Sequence, residues 1–183
     1  MIMKVVFEKE SLKLLGAQIV GLEGVDKRLD VLATAIHCGM KTEMLKDLDL
    51  AYAPPFSSAK DPVNMAGFMI ENISKGMIKQ YHWDEVKNLP RDGSVTLLDT
   101  RTSYEYKSGH IDGYINIPVD DLRDQLNELD RSKPVYVICQ SGLRSYIACR
   151  ILSQNGFDCN NFSGGYRFYT SVIKEKEMSE YTY

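Results

Sequence analysis

A chain of 183 residues has room for one large or two small domains, and its 44% hydrophobic and 26% charged residues give it a core and exclude wholesale disorder. The net charge of −3, with both signs interspersed, offers no basic face for nucleic acid. No apolar run approaches the roughly 20 residues of a membrane span, and the segment from Met1 to Glu10 is charged too early for a secretory signal.

Residues 3–21 read as a β-hairpin, with Lys4–Phe7 as one arm, a polar turn from Glu8, and Leu14–Val20 as the other. Gly21 and Gly24 break this pattern. A helix follows with Val25, Leu29, Leu32, Ile36 and Met40 on one face, carrying His37 and Cys38, to which no role falls. Thr42 is placed to cap a short helix bearing Leu45 and Leu48. Pro54 and Pro55 stiffen a loop that presents Tyr52 and Phe56, either as anchors against the core or as part of a site. Asp61 followed by Pro62 is a strong helix start, and Gly76 ends that helix. Met65, Phe68, Met69 and Ile73 are expected on its apolar face, against the core or a partner subunit.

Near residues 77–83 the pattern changes to short β runs alternating with helices, the mark of an α/β unit. Trp83–Leu89 reads as a short helix, Val95–Asp99 as a buried strand, and Ile115–Pro118 as a second, short one. Val119, Leu122, Leu126 and Leu129 recur at helical spacing. The helix after Ser145 closes at Gly156, Cys159–Phe162 reads as a last strand before Gly164 and Gly165, and the charged tail beyond Thr170 as a short helix.

The second half is organised around the run from Val135 to Ser145. Four strand-forming residues deliver Cys139 to a short loop containing Gly142 and Arg144, after which a helical pattern opens at Ser145 with Ile147, Ala148, Ile151 and Leu152. The N-terminus of a helix gathers backbone N–H groups and favours negative charge, so a cysteine brought there is a candidate nucleophile. Gly142 permits the positive φ of a tight cradle, and the Arg144 guanidinium suits an anionic donor or acceptor. Cys-loop phosphatases use one residue more between Cys and Arg, so the tighter ring here suits a sulfur atom carried on the cysteine. The bland alternative is a structural cysteine at a strand end beside a surface arginine. Cysteines 38, 139, 149 and 159 include no Cys-x-x-Cys and meet no histidine at zinc spacing, which predicts no metal site and a cytoplasmic protein with reduced thiols.

Residues from about 83 to 175 resemble a single rhodanese domain. The resemblance is carried by Leu98-Asp99-Thr100-Arg101, Gly109-His110-Ile111-Asp112-Gly113, Asn116-Ile117-Pro118, the run from Val137 to Ser145, and Gly164-Gly165-Tyr166. It implies a small parallel sheet flanked by helices and sulfane-sulfur transfer through a persulfide on Cys139. It further implies that Gln140, Ser141, Gly142, Leu143 and Ser145 form the binding loop, with Arg144 at its end. Asp99 and Arg101 are expected to be structural and His110 to tie its loop, while Cys149 and Cys159 face the core.

The first 80 or so residues resemble the dimerisation domain of flavin-dependent pyridine nucleotide-disulfide oxidoreductases of the coenzyme A-disulfide reductase and NADH oxidase branch. The carrying residues are Leu15–Gly21, Asp26–Ile36, Leu48–Ser57 and Asp61–Gly67. The implied architecture is an α+β dimerisation domain over 1–80 followed by a rhodanese-like parallel-sheet α/β domain over 81–183. Such a chain is expected to form a homodimer and to pass sulfur from a donor (coenzyme A persulfide, polysulfide or thiosulfate) to a thiol acceptor, serving flavin reductase domains. FAD and NAD(P)H are implied for the full-length family enzyme alone. No Gly-x-Gly-x-x-Gly fingerprint occurs in this sequence, so it resembles the C-terminal part of such an enzyme and is expected to carry no cofactor. Tyr52 matches a segment that approaches the other subunit's active site in that branch, with simple packing as the alternative. A binding or dimerisation module without turnover is the competing function, and a phosphatase the third.

Overall fold

A computed structural model describes residues 1–55 and 57–180, the last five of them as backbone. Phe56, expected beside Tyr52 in the proline loop, lies outside the described residues. The chain divides into two compact units, Met1–Met77 and Ile78–Tyr183.

In the first unit, β1 (Ile2–Phe7) pairs antiparallel with β2 (Leu14–Val20), from Ile2 opposite Val20 to Phe7 opposite Leu14, as the alternating pattern predicts. Helix α1 (Val25–His37) buries Arg28, Leu32 and Ala35, while Leu29 is exposed and Met40 lies beyond the helix end. The expected apolar stripe is therefore rotated. Arg28 turns inward because its guanidinium meets the buried Asp61 carboxylate at 2.8 Å. Asp61 also caps α2 (Pro62–Ser74), accepting from the Val63 amide at 3.0 Å, with Asn64 completing the capping box. Thr42 is the first residue of a 3-10 turn, Thr42–Asp47, rather than its cap. Its buried position is set by the core of Leu14, Leu32, Ala35, Leu45 and Val63. Helix α2 buries Val63, Asn64, Gly67 and Ile70, leaving Met65 and Met69 exposed at 41% and 47%. The expected methionine face is thus not a core face in this unit. Asn64 explains the shift, since its amide donates to the Leu45 and Leu48 carbonyls at 2.9 Å each and fixes the side of α2 that faces the 3-10 turn.

The second unit is a five-stranded parallel sheet. Its strands are β3 (Lys79–Tyr81), β4 (Thr96–Asp99), β5 (Ile115–Asn116), β6 (Val135–Ile138) and β7 (Cys159–Phe162), in the spatial order β3-β7-β6-β4-β5. Helix α3 (Ser103–Lys107) leads from β4 towards β5, α4 (Leu143–Gln154) joins β6 to β7, and α5 (Gly165–Glu180) follows β7. Tyr81, Val86, Leu89, Leu97, Ile111, Tyr114, Ile138 and Phe162 form one buried cluster, and α4 contributes Ala148, Cys149, Ile151 and Leu152 to the interior. The Tyr81 and Tyr114 hydroxyls meet at 3.1 Å, so both polar tips are satisfied inside that core.

Three sequence expectations change here. Residues 119–129 form successive turns and a 3-10 segment, Leu126–Glu128, in place of a helix. Asp120, Asp121, Asp124 and Asn127 are weak helix formers, because their short polar side chains compete for the backbone, yet Leu122 and Leu129 are still buried. Trp83–Leu89 is likewise a turn with a 3-10 segment, Val86–Asn88. The terminal helix begins at Gly165, ahead of the charged tail beyond Thr170, and continues through the described chain to Glu180.

Candidate active site

Open parallel sheets gather ligands at the carboxyl ends of their strands, and here β4 and β6 are neighbours, with Asp99 opposite Ile138. The next residue on β6 is Cys139, which is fully buried. Its Sγ accepts a hydrogen bond from the Gly142 amide at 3.1 Å, and the Ser145 hydroxyl stands 3.3 Å away. Gly142 has φ 105° and forms the N-cap of α4, a conformation that turns its amide back over the sulfur. Ser145, buried in the first turn of α4, can give its proton to Cys139 Sγ or to the Gly142 carbonyl 3.1 Å away.

The opposite side of the loop is held by α5. The first-turn amides of Tyr166 and Arg167, which have no partner within their own helix, donate to the carbonyls of Cys139 at 2.8 Å and Gln140 at 3.1 Å. This contact is close enough to require Gly165. A Cβ there would stand 2.6 Å from the Ser141 amide nitrogen and 2.7 Å from the Gln140 carbonyl.

Two arginines border the loop, and each meets a carboxylate. Arg101, only 2% exposed, pairs with Asp99 at 2.7 Å, donates to the Gly109 carbonyl at 2.8 Å, and stacks on the Tyr166 ring 3.8 Å from its centroid. Its Nη1 reaches Gln140 Oε1 at 3.5 Å. Arg144 forms a fork-to-fork pair with Glu105, two contacts of 2.7 Å. Glu105 is at the same time the third residue of the α3 capping box, accepting from the Thr102 amide at 2.9 Å. Arg144, with Thr102 assisting, holds the Glu105 carboxyl down at about 2 despite partial burial. Arg144 in turn is raised above its ordinary value, first by Glu105, and it lies within electrostatic reach of Cys139 and Asp99. A cleft of about 340 Å³ opens beside this group, lined by Arg101, Tyr104, Glu105, Ser108, Gly109, Gln140 and Tyr166.

Comparison with known proteins decides the family. Residues 82–171 match the rhodanese-like domain, and residues 1–63 match the pyridine nucleotide-disulphide oxidoreductase dimerisation domain. Residues 82–171 are a rhodanese-like domain. The chain is 46% identical to the reduced CoADR-RHD of Bacillus anthracis, with a TM-score of 0.90 over 94% of this chain and 31% of that one. It is 38% identical to an NAD-dependent persulfide reductase from A. fulgidus, with a TM-score of 0.79 over 91% of this chain and 29% of that one. The coenzyme A disulfide reductase of Staphylococcus epidermidis shares 44% identity over 66 residues, which is 36% of this chain and 15% of that protein. The chain therefore spans less than a third of these longer relatives.

Within the rhodanese-like unit, the predicted loop residues come together around Cys139 in different ways. Gly142 and Ser145 reach the sulfur, Gln140 lines the cleft, Ser141 lies against Gly165, and Leu143 is exposed where it opens α4. Arg144 is engaged by Glu105, a partner that the sequence reading did not single out. The signal for Glu105 was half present, since Thr102-x-x-Glu105 is a capping box in plain sequence; its contact with Arg144 spans 39 positions. Asp99 and Arg101 form the buried structural pair expected of them. The His110 ring stacks on Tyr106 at 4.0 Å with Nδ1 3.1 Å from the Tyr106 carbonyl, which ties the loop. Cys149 and Cys159 are buried, with the Cys159 thiol donating to the Cys149 carbonyl at 3.2 Å. Contact with Cys159, reinforced by burial, pushes the Cys149 thiol far up. Tyr52 belongs to the first unit and is 53% exposed. Among the described residues, no three His, Cys, Asp or Glu side chains converge as a metal site, and no helix is long and apolar enough to cross a membrane.

Proposed function

We propose that the rhodanese-like unit transfers sulfane sulfur through a persulfide on Cys139, as a module of a coenzyme A-disulfide, persulfide or polysulfide reductase. The observation that carries this reading is the reception of Cys139 Sγ by the Gly142 amide at 3.1 Å and the Ser145 hydroxyl at 3.3 Å, on a loop anchored from behind by α5. The thiolate is the attacking species in sulfur exchange, and these two donors stand where its charge would be received. The Cys139 thiolate attacks the outer sulfur of the donor, the donor's own S–S bond breaks, and sulfite or a thiolate departs. The sulfur left on Cys139 keeps the same two hydrogen-bond donors within reach. An acceptor thiolate then attacks that outer sulfur, and Cys139 leaves as the thiolate with which the cycle began. In this reading the chain carries sulfur with its own residues. FAD and NAD(P)H belong to the longer enzymes of the family.

The test is cyanolysis. Protein loaded with thiosulfate or polysulfide is expected to release thiocyanate, and Cys139→Ala to release none above background; equal release from the variant rules Cys139 out. A second reading, docking without turnover, draws on the complete burial of Cys139. Intact-mass measurement separates the two, since a catalytic Cys139 gains one sulfur atom under a persulfide donor and a docking module gains none.

A further inference from the structure

Resting on the Cys139 reading, we propose that Glu105 sets the donor class, turning the site away from dianionic inorganic donors such as thiosulfate. The class it favours is sulfur borne on an organic thiol, with no fixed charge beside the reacting atom. Both cations at the loop are already neutralised. Arg101 is spent on Asp99 inside the fold, and Arg144 is clamped by Glu105 through two contacts of 2.7 Å at the cleft wall. Arg144 holds the Glu105 carboxyl down at about 2, so the pair stays charged at neutral pH. With Glu105 in place, a dianion near the loop finds the Arg144 charge already cancelled, and the Glu105 carboxylate itself stands on the cleft wall. Beside Glu105 and the paired Arg101, the cleft is lined by the uncharged Tyr104, Ser108, Gly109, Gln140 and Tyr166, suited to the stem of a thiol. Glu105 touches none of the reacting atoms, so it acts as a specificity-setting and positioning residue.

Glu105→Gln isolates the charge, because glutamine can still complete the capping box with Thr102 and α3 keeps its start. The assay follows sulfur transfer to cyanide from thiosulfate, a dianion, and from benzenethiosulfonate, a monoanion. Removing one negative charge beside the donor in a water-like environment is expected to lower KM about tenfold for thiosulfate and about threefold for the monoanion. The wild-type KM for thiosulfate is expected not to rise from low to high ionic strength, since Arg101 and Arg144 are both already paired and neither is left to attract the dianion. Equal shifts for both donors, or a fall in kcat with KM unmoved, would overturn the proposal; so would a wild-type KM for thiosulfate that climbs steeply with salt. Loading of Cys139 by neither donor removes the sulfur-transfer reading, and this one with it. Loading by both donors with identical constants in wild type and variant removes this one alone.

Discussion

Ser145 has one proton and two acceptors within reach, the Cys139 sulfur and the Gly142 carbonyl. With a neutral thiol the carbonyl is the better acceptor. Once the sulfur is charged, the hydroxyl turns to it, because hydrogen bonds to ionised groups are roughly twice as strong as neutral ones. Ser145 therefore contributes most when the sulfur is anionic, the form in which Cys139 both attacks the donor and leaves after transfer. Ser145→Ala is expected to slow single-turnover sulfur loading about tenfold while lowering stability by only about 1 kcal/mol. Stopped-flow loading and a denaturant titration measure the two separately. A stability loss without a rate loss would make Ser145 a purely structural group. The contrast with Cys149 is instructive, since its thiol meets the Cys159 thiol in place of a loop amide. That contact, reinforced by burial, pushes the Cys149 thiol far up and away from an anionic form.

At the scale of elements, the loop is shaped as much by α5 as by the α4 N-terminus that the sequence displays. Gly165 sits at φ 70°, where a side chain is strained, and the loop backbone occupies the place a Cβ would take. Gly165→Ala is expected to destabilise the protein by about 1–3 kcal/mol through strain and overpacking. It should also impair sulfur loading by displacing Gln140 and Ser141; thermal melts and the cyanolysis assay check the pair. A stable variant that loads normally would show the loop to be independent of α5. This clamp was illegible in the sequence because two adjacent glycines read as a loop, whereas Gly165 opens a helix whose free amides face the Cys139 and Gln140 carbonyls. What was legible had a local cause. Val135–Ile138 announces a buried strand, and Gly142 announces a tight turn into a helix. Asp61-Pro62 announces a capped start. Illegible features needed a distant partner or a competing local preference: Arg28 turned inward by Asp61, Arg144 held by Glu105, and the aspartate-rich turns at 119–129 that bury Leu122 and Leu129 without forming a helix.

For the whole molecule, the two units divide the physical work. The rhodanese-like unit satisfies its own core and positions Cys139, whereas the first unit, a member of the oxidoreductase dimerisation-domain family, leaves apolar side chains in the open. Helix α2 shows this most clearly, with Asn64 and Gly67 directed inward and Met65 and Met69, one helical turn apart, outward. Methionine adapts to irregular contacts, so a pair of them on an exposed helix face suits a second copy of the same surface. The chain is expected to sediment at micromolar concentration as a species of twice its 20.8 kDa mass. Burying each methionine is worth about 1.5–3 kcal/mol, so Met65→Lys combined with Met69→Lys should weaken pairing about a hundredfold or more and leave a monomer at the same concentration. Circular dichroism of the variant should match wild type, since neither side chain fills the core of its own unit. A wild-type monomer would mean that this domain does not pair on its own. A dimer that survives both lysines would place the interface on another face, with Val20, Leu22 and Leu15 of the hairpin side as the next exposed apolar candidates.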